Sequence, residues 1–392
     1  MVSKFAGFQG GVERHLADLS VGLVRAGHEV DLFSSELLPK RARAFDVNAG
    51  SAADRAKALV QMYWNRAARQ ALETKVGDFE PDVVHMHSIY HQLSPSVLGV
   101  FAGPTVMTLH DYKLAAPCYT LYREGQVCRD CVGRAVPVPA VIHRCIQGSV
   151  AASAACSVEA VLYRRRYRSA ADRFIVPSQF SRDAMVRAGL PREKIRVIPW
   201  ASTSATHSAR RFVERERVSL LFMGRLHPTK GIRELLDAWA ELGSPAGGRL
   251  RIAGDGELAG LVVERTRVDP TIEYLGHVEP NRASELVAGA DLMVVPSLFP
   301  ETMGLSALEA LVSGTPILTS GRGALSGLAG PGVLEFSEME ARVMARTLRL
   351  LISEPERLGS MREQLQRRDL SRYRPERMIR EIADVYEELV SV

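Results

Sequence analysis

The stretch LMVVPSLFPETMGLSALE, residues 292–309, passes from a strand pattern to a helix pattern within a few residues. Its first four residues are apolar, as in a buried strand, and the loop that follows contains two prolines. Helix-forming residues begin near Met303, and Gly314 followed by Pro316 provides a C-terminal stop. A strand, a loop and a helix in this order are the repeating unit of a parallel α/β sheet.

The same unit recurs along the whole chain in two series of short apolar runs. The first series is 29–35, 82–88, 105–111, 173–178 and 195–200, and the second is 219–226, 250–254, 272–278, 291–297, 316–320 and 333–336. Strands that alternate with helices form parallel sheets through right-handed crossovers, so each series predicts one doubly wound domain. A segment poor in large apolar residues, 201–217, separates the two series and is the predicted linker.

Length and composition agree with two folded domains. A chain of 392 residues exceeds the roughly 250–300 residues at which single cores stop growing. Its 46% hydrophobic and 24% charged residues are typical of a folded protein and argue against wholesale disorder. No apolar run is long enough to span a membrane, and the N-terminus lacks a signal-peptide pattern. We therefore expect a cytoplasmic protein.

Positive charge is concentrated in the N-terminal half of the chain. Residues 1–200 carry a net charge of +8 and residues 201–392 a net charge of −3. Much of the excess comes from two groups of bases, namely Lys40, Arg41 and Arg43, and Arg164, Arg165, Arg166 and Arg168. Such groups suit peripheral contact with an anionic membrane at its inner face, or with a phosphorylated acceptor. A solvated helix face in an Arg-rich chain is the other interpretation, and both stay open.

The first predicted helix has little strand before it. Gly10 and Gly11 open a helix whose apolar residues recur at intervals of three and four positions until Gly27. Only residues 1–5 are available for the preceding strand, which normally lies in the middle of such a sheet. We therefore expect that strand to be very short or to lack residues, as it would if an upstream start codon had been missed.

Two carboxylates frame the start of the helix in residues 292–309. Glu301 falls in the loop that enters the helix, and Glu309 lies within it. The amides of Met303, Gly304 and Leu305 would be unpaired donors at the helix N-terminus, where a diphosphate is favoured. Glu301 could then accept hydrogen bonds from sugar hydroxyls and Glu309 from a ribose diol. Ordinary helix acids, one of them complementing the dipole, are the alternative interpretation.

Basic residues follow an earlier strand of the same series. In GRLHPTKG, residues 224–231, Arg225 and Lys230 lie between an apolar strand and a helix. A guanidinium can bind two phosphate oxygens and an ammonium adds a compact charge, so together they suit a diphosphate leaving group. Lys230 is one of seven lysines in an arginine-dominated chain, although a surface lysine that begins a helix is also common.

Two weaker signals fall in the N-terminal domain. Gly10 and Gly11 could present amides to a phosphate or to the acceptor, although a glycine pair alone is unspecific. His110 follows an apolar strand at the position where ligands bind in open α/β sheets. A structural histidine is the alternative at this position.

Four of the five cysteines are clustered in sequence. Cys118, Cys128, Cys131 and Cys145 fall within 28 residues and include one Cys-x2-Cys pair. Because disulfides are disfavoured in a cytosolic chain, the pattern suggests a tetrahedral structural zinc site. Reduced, partly buried thiols are the alternative. The fifth, Cys156, lies in a helical run and is predicted to be core.

Six motifs in this order resemble those of family 4 of the retaining glycosyltransferases. They are Gly10-Gly11, Thr108 to Asp111, Gly224-Arg225 with Lys230-Gly231, Ala253 to Gly256, Pro296-Ser297, and Glu301 to Glu309. The resemblance covers nearly the whole chain and implies the GT-B fold, with two facing Rossmann-like domains. It assigns 1–200 to acceptor binding and 201–373 to nucleotide-sugar binding, and it returns 374–392 to the N-terminal domain as a helix. The chain departs from the family's usual Phe at Met303 and Asn at Trp200.

The resemblance also implies roles for individual residues. Arg225 and Lys230 would hold the donor diphosphate, Glu301 the transferred sugar and Glu309 the ribose. Gly304 and Leu305 would bind a phosphate through their amides, and His110 would contact the sugar near the reacting carbon. The implied activity is metal-independent transfer of a hexose-type sugar, with retention, to a saccharide or lipid-linked acceptor. A cysteine-bearing insert is similar to that of transferases in bacterial surface polysaccharide and glycolipid assembly.

Two other functions remain open from the sequence. A nucleotide-sugar epimerase or a phosphorylase could use the same fold and the same donor site. A non-catalytic zinc-knuckle module that binds nucleic acid is the more distant alternative. Aromatic residues are sparse around the arginine run, so we expect no nucleic-acid partner.

Overall fold

The computed structural model describes residues 1–5, 10–38, 51–202 and 217–391. Its packing divides the chain into two compact units. Unit 1 comprises Met1–Leu121, Arg129–Trp200 and Pro375–Val392, and unit 2 comprises Tyr122–Cys128 and Ala201–Arg374. The units divide after Trp200, the position that the sequence indicates, but the short segment 122–128 belongs to unit 2. Lys40, Arg41, Arg43 and most of the predicted linker lie outside the described residues.

Unit 1 is a parallel sheet between helices. Its strands are β1 (Val2–Ser3), β2 (Phe33–Ser34), β3 (Val84–His87), β4 (Thr105–Thr108), β7 (Arg173–Val176) and β8 (Ile195–Val197), in the spatial order β2-β1-β3-β4-β7-β8. Its helices are α1 (Gly11–Arg25), α2 (Ala52–Tyr63), α3 (Arg66–Phe79), α4 (Val138–Ile142), α5 (Val150–Ser169), α6 (Gln179–Arg187) and α13 (Pro375–Val390). The order reverses between β1 and β3, which makes this the switch point of the sheet.

The first strand is short, as the sequence predicts. β1 pairs with its two neighbours only through Val2 and Ser3. Beyond this pairing the Met1 ammonium donates to the Asp31 carbonyl at 2.6 Å. The run 29–35 therefore forms only the two-residue strand β2, because a strand is defined by the partner beside it.

Unit 2 is a second, fully parallel sheet with the dinucleotide-binding strand order. Its strands are β9 (Val218–Met223), β10 (Gly248–Ala253), β11 (Ile272–Gly276), β12 (Leu292–Val295), β13 (Ile317–Thr319) and β14 (Val333–Glu335), in the order β11-β10-β9-β12-β13-β14. Its helices are α7 (Ile232–Glu241), α8 (Ala259–Val268), α9 (Pro280–Gly289), α10 (Leu305–Val312), α11 (Ala341–Ser353) and α12 (Pro355–Gln366). A hairpin of β5 (Tyr122–Arg123) and β6 (Gln126–Val127) also belongs to this unit.

The core of unit 2 packs around the two strands that form its switch point. Leu220 and Phe222 of β9 and Leu292 and Val294 of β12 are almost fully buried in one cluster with Trp239 of α7. The Trp239 indole donates to the Thr271 hydroxyl at 2.9 Å, so its polar atom is satisfied inside the core. The loops that leave β9 and β12 therefore start from strands that are fixed by packing.

The last helix returns to unit 1, as predicted. α13 buries Met378, Ile382 and Val385. The Tyr386 hydroxyl lies 2.5 Å from Nδ1 of His85 in β3. Glu388 forms ion pairs with two arginines of unit 1, and the one with Arg196 measures 2.7 Å. Pro375 is the first residue of this helix, where a missing amide proton costs nothing.

We expect Gly22→Ala to destabilise the protein because α1 and α13 pack closely at this point. A Cβ on Gly22 would overlap Cδ1 and Cγ1 of Ile379. Overpacking of this kind costs about 1–3 kcal/mol, against the roughly 1 kcal/mol by which alanine favours a helix. Urea unfolding should give a lower free energy of unfolding for Gly22→Ala than for the parent. The double variant Gly22→Ala/Ile379→Ala should regain part of the free energy that overpacking removes. Equal stability of Gly22→Ala and the parent would contradict the packing.

The arginine run on α5 is used largely within the protein. Arg164 donates to the carbonyls of Arg134 and Ala135, both at 2.7 Å, and Arg166 donates to Leu98 at 2.6 Å. Arg168 donates to the Ala188 carbonyl. These contacts favour a structural role for three of the four arginines. None of the described helices is long and apolar enough to cross a membrane.

Candidate functional site

The loops at the switch point of unit 2 carry the predicted donor-site residues. β9 and β12 are neighbours and parallel, with Leu292 opposite Leu220 and Met293 opposite Leu221. Their carboxyl ends therefore point the same way. Gly224 and Arg225 follow β9, and Ser297 and Glu301 follow β12. In open α/β sheets this is the place where ligands bind.

The structure joins these two loops through Glu301. The Lys230 ammonium lies 2.7 Å from Glu301 Oε1, and the Ser297 hydroxyl donates to the same oxygen at 2.6 Å. The Glu301 side chain is 8% exposed and that of Lys230 is 27% exposed. Lys230 also lies over the Phe299 ring, 4.8 Å from its centroid. The cation is thus held at the edge of the site by one carboxylate and one aromatic face.

Two glycines allow the backbone to approach closely around this pair. Gly231 precedes α7 in the left-handed conformation, and a Cβ there would overlap the Pro296 carbonyl. Gly323, also with positive φ, lies beside Glu301 in a parallel bridge, and the Ala324 amide donates to the Glu301 carbonyl at 2.7 Å. Glycine is required at both positions because a side chain has no space and φ is positive.

The helix beyond Glu301 starts later than the sequence predicts. α10 begins at Leu305 with Gly304 as its N-cap, and its first internal hydrogen bond runs from the Leu308 amide to the Gly304 carbonyl. The amides without an intrahelical acceptor are therefore those of Gly304, Leu305, Ser306 and Ala307, and that of Met303 is not among them. The reason is Gly304, whose φ of 75° lies outside the helical range. Glu309 lies within the helix and is buried, 8% exposed.

The positive charges of Arg225 and Lys230 both influence the pKa of His227. Burial lowers the pKa of His227, and the charges of Arg225 and Lys230 lower it further, while Glu257 acts in the opposite direction. Both cations are thus close enough to be felt at one imidazole. Arg225 is exposed, so its guanidinium is accessible to a solute. A diphosphate placed here would meet two positive groups and the dipole of α10.

We expect Gly323→Ala to disturb Glu301 directly. The added Cβ would overlap the Glu301 carbonyl, and alanine would also be strained at a φ of 69°. The free energy of unfolding should fall by about 1–3 kcal/mol. Donor turnover should fall with it if Glu301 is part of the site. Gly327→Ala is the matched control, because nothing lies within 4 Å of a Cβ at Gly327. Equal effects of the two changes would contradict a special role for Gly323.

Unit 1 gathers histidines at its own switch point. His87 ends β3, His110 follows β4 by two residues, and His15 lies in the second turn of α1. Nδ1 of His87 lies 3.0 Å from Nε2 of His110. The ring centroids of His15 and His110 are 5.4 Å apart, and Trp200 lies 4.8 Å from His110 and 4.9 Å from His15. All these side chains are buried.

Burial keeps this cluster neutral near pH 7. It lowers the pKa of His15 to about 4 and lowers the pKa values of His87 and His110 well below the ordinary value. His85 has a lowered pKa for the same reason, and its Nε2 lies 2.7 Å from the Thr108 hydroxyl. Neutral imidazoles can donate through one nitrogen and accept through the other, so this group can pass or position a proton.

His15, His85 and His87 were not predicted as site residues. The signal for two of them is the alternation in Val84-His-Met-His87, which places both imidazoles on one face of β3. His15 follows from helix geometry, because it lies four residues after Gly11 at the start of α1. Gly10 is the N-cap of α1, and both Gly10 and Gly11 are exposed.

The four clustered cysteines are divided between the two units, with Cys128 in unit 2 and the other three in unit 1. Among the described residues, the one group of three or more potential ligands whose donor atoms lie within 4.8 Å of one another is His15, His87 and His110. Cys118, Cys128, Cys131 and Cys145 are each partly buried. The zinc site therefore stays a prediction. Cys156 is buried, and burial raises its pKa.

Two Rossmann-like units, one with paired charges at its switch point, define a nucleotide-binding α/β protein. The model for Glycosyltransferase Family 4 matches residues 9–201, and the model for Glycosyl transferases group 1 matches residues 217–353. Together they span most of the chain. The chain therefore belongs to the group 1 glycosyltransferases.

Known relatives agree with this assignment. An uncharacterized glycosyltransferase of Methanocaldococcus jannaschii is 25% identical over 81% of this chain and 78% of its own length. D-inositol 3-phosphate glycosyltransferase of Corynebacterium efficiens is 27% identical over 81% of this chain and 76% of its own. A GDP-mannose-dependent phosphatidylinositol dimannoside mannosyltransferase of Mycobacterium tuberculosis is 32% identical, but over only 36% of this chain and 37% of its own.

Solved structures share the fold. HepE from Anabaena, in complex with UDP and glucose, is 16% identical, covers 99% of both chains and has a TM-score of 0.66. Sucrose-phosphate synthase from Thermosynechococcus elongatus is 19% identical over 97% of this chain and 94% of its own, with a TM-score of 0.67. The predicted fold class, α/β of the GT-B type with two Rossmann-like domains, is confirmed.

Proposed function

We propose that this glycosyltransferase moves a hexose-type sugar from a nucleotide diphosphate sugar to a saccharide or lipid-linked acceptor, with retention and without a catalytic metal. The observation that carries the proposal is the Lys230–Glu301 pair, 2.7 Å apart at the switch point of unit 2. The buried Glu301 carboxylate can bind the sugar. The Lys230 ammonium that it holds, together with the N-terminus of α10, can bind the diphosphate.

In the proposed reaction the chain supplies charge and position. Arg225, Lys230 and the amides at the start of α10 offset the charge of the diphosphate, including the further negative charge that develops on the departing oxygen as the bond to the anomeric carbon breaks. Glu301 accepts hydrogen bonds from the sugar, and Glu309 from the ribose. The acceptor oxygen attacks the face that the diphosphate leaves, and its proton passes to the departing phosphate oxygen. The configuration at the anomeric carbon is thereby retained.

His110 is the proposed catalytic residue of unit 1. Because burial keeps it neutral, it can donate or accept a hydrogen bond without bringing a full charge to a developing oxocarbenium centre. His87, whose Nδ1 lies 3.0 Å from Nε2 of His110, limits the orientations open to that ring. Gly10 and Gly11 are the proposed phosphate or acceptor contacts at the start of α1.

The comparisons support a nucleotide-sugar donor and leave its base open. HepE was solved with UDP and glucose, and the mycobacterial relative is named for GDP-mannose. The same relative acts on a phosphatidylinositol dimannoside, which supports an acceptor in glycolipid or surface polysaccharide assembly. Membership of a transferase family favours transfer over epimerisation or phosphorolysis.

A screen of nucleotide sugars tests the proposal. Thermal unfolding would be measured with UDP-, GDP- and dTDP-sugars in the presence of EDTA, for the parent, Lys230→Ala and Glu309→Ala. We expect one donor class to raise the midpoint in the parent, and both variants to lose most of that rise. Acceptor-dependent release of nucleoside diphosphate and the anomeric configuration of the product would then be determined by NMR. Free epimer, release that requires inorganic phosphate, or inversion would contradict the proposal.

We also propose peripheral contact with a membrane. The support comes from exposed apolar side chains and not from the arginine run. Val136, Val138 and Ile142, on and before α4, are 55%, 50% and 67% exposed, and Leu162 of α5 is 64% exposed. Such exposure suits insertion among lipid headgroups. Binding to phosphatidylglycerol vesicles should weaken in Val138→Ser/Ile142→Ser. Unchanged binding, or none in the parent, would contradict it.

A further inference from the structure

We propose that His15, His87 and His110 form a binding site for a divalent late transition-metal ion of the zinc class, and that the bound ion inhibits sugar transfer. Each residue offers one ring nitrogen, and these atoms all lie within 4.8 Å of one another. The second part of the proposal rests on the proposed function, because it assumes that His110 takes part in transfer. The first part rests on the arrangement of the rings alone.

One distance in the cluster is close to that of a metal-bound pair, and all three ligand atoms lie within 4.8 Å of one another. Two nitrogens that share a zinc ion at about 2.0–2.1 Å in a tetrahedral site lie roughly 3.3 Å apart. Nδ1 of His87 and Nε2 of His110 are already 3.0 Å apart. His15 comes from α1 and faces the same point, so the ion would tie α1 to the ends of β3 and β4. Ring movements that bring the remaining ligand atoms from within 4.8 Å to roughly 3.3 Å would complete the site.

The chemical state of the rings also suits a metal. The three side chains are 5%, 0% and 7% exposed, and burial lowers their pKa values, so each already has the neutral form that binds metals. Nε2 of His15 is buried without a hydrogen-bond partner. Buried polar atoms are rarely left unsatisfied, so this nitrogen points to a missing ligand.

Binding requires a proton to move but not to leave the pair. The contact between Nδ1 of His87 and Nε2 of His110 is a hydrogen bond, so one of these nitrogens carries a proton. Where it is His87, that ring takes the other tautomer, with the proton on Nε2, and Nδ1 presents its lone pair to the ion. Three imidazole ligands exclude Mg²⁺ and Ca²⁺, which prefer oxygen, and favour Zn²⁺, Co²⁺, Ni²⁺ or Cu²⁺.

The ion would act as an inhibitor. With the Nε2 lone pair of His110 on the metal and a dication beside it, that imidazole can no longer serve a sugar whose transition state is itself positive. Trp200, in contact with two of the three rings, would shield the site from water and slow release of the ion. Transfer should therefore fall as zinc is added and return when a chelator removes it.

Cobalt titration of the full chain tests the site without an activity measurement. Protein freed of metal with EDTA, and then of EDTA, would be titrated with Co²⁺ and followed by visible absorption. We expect d–d bands without the strong charge transfer of a thiolate ligand, which separates this site from the cysteines. His15→Gln and His87→Gln should weaken binding at least about tenfold. His28→Gln, a histidine of the same unit outside the cluster, should not.

A measurement on the parent protein covers the event that the variants fold poorly. Zinc X-ray absorption should show nitrogen ligands at about 2.0 Å with imidazole scattering. Sulfur coordination, or cobalt binding that is unchanged in both variants, would overturn the site. Transfer that is insensitive to zinc bound at the site would overturn the inhibition. Absence of any transfer with a zinc–imidazole site present would instead count against the proposed function and leave the site standing.

Discussion

Glu301→Gln is expected to abolish most of the sugar transfer while leaving nucleoside diphosphate binding unchanged or tighter. Gln keeps the shape of the side chain but removes its negative charge. The carboxylate oxygen Oε1 accepts from the Ser297 hydroxyl at 2.6 Å and pairs with Lys230 at 2.7 Å. Loss of one such preorganised group commonly costs about 10²–10³ in rate. Lys230, released from its partner, becomes fully available to the diphosphate.

Lys230→Ala should behave differently, because it removes the cation itself. Transfer and diphosphate affinity are both expected to fall in Lys230→Ala. In Glu301→Gln, by contrast, the diphosphate affinity is expected to stay the same or to rise. Kinetics with the donor found in the screen, together with calorimetric titration of the diphosphate, separate the two effects. Glu273→Gln is the control. The Glu273 carboxylate is likewise paired with cations, Arg249 and Arg251, but it lies on edge strand β11. Equal affinity losses in Glu301→Gln and Lys230→Ala would contradict separate roles.

The second large effect is loss of stability in mild acid. The pKa of His15 is about 4 in the folded protein because of burial, against an ordinary value of 6.5. Between these values the unfolded chain binds more protons, so stability is fully present above pH 6.5 and is lost as the pH falls toward 4. His15 alone should remove about 2 kcal/mol at pH 5. His91, with a pKa of about 3, acts in the same direction.

Urea unfolding at pH 7 and pH 5, with a chelator present, measures this loss. Lys4 lowers the pKa of His110 further, and the Met1 ammonium lowers that of His87. Burial raises the pKa of Asp111, so this carboxyl group acts against the loss of stability in acid. His15→Gln should lose about 2 kcal/mol less than the parent between the two pH values. An equal loss in parent and variant would show that His15 is not held neutral by burial.

Much of the fold was predictable because it follows from local pattern. Every run in the two predicted series overlaps a strand of the structure, since β-branched and apolar runs between amphipathic helices have few other packed arrangements. The ends of the strands were predicted too late. The run 105–111, for example, is a strand only to Thr108, because His110 and Asp111 lie beyond the last paired residue.

The candidate site was predictable only where its residues share one segment. Glu301 and Lys230 were named from their own loops, but the ion pair between them depends on the adjacency of β9 and β12, which no local pattern specifies. The same holds for His15 and His87, which come from distant segments and meet at the switch point of unit 1. Gly323 was also missed, since its importance lies in the Glu301 backbone beside it.

Calorimetric titration of a nucleoside diphosphate and of the corresponding nucleoside, with the parent and with Lys230→Ala, tests whether unit 2 holds a diphosphate through its switch-point loops. We expect Lys230→Ala to weaken binding of the diphosphate by at least about tenfold and to leave binding of the nucleoside unchanged, because only the phosphates meet the cation. Equal losses for both ligands, or no loss for either, would contradict it.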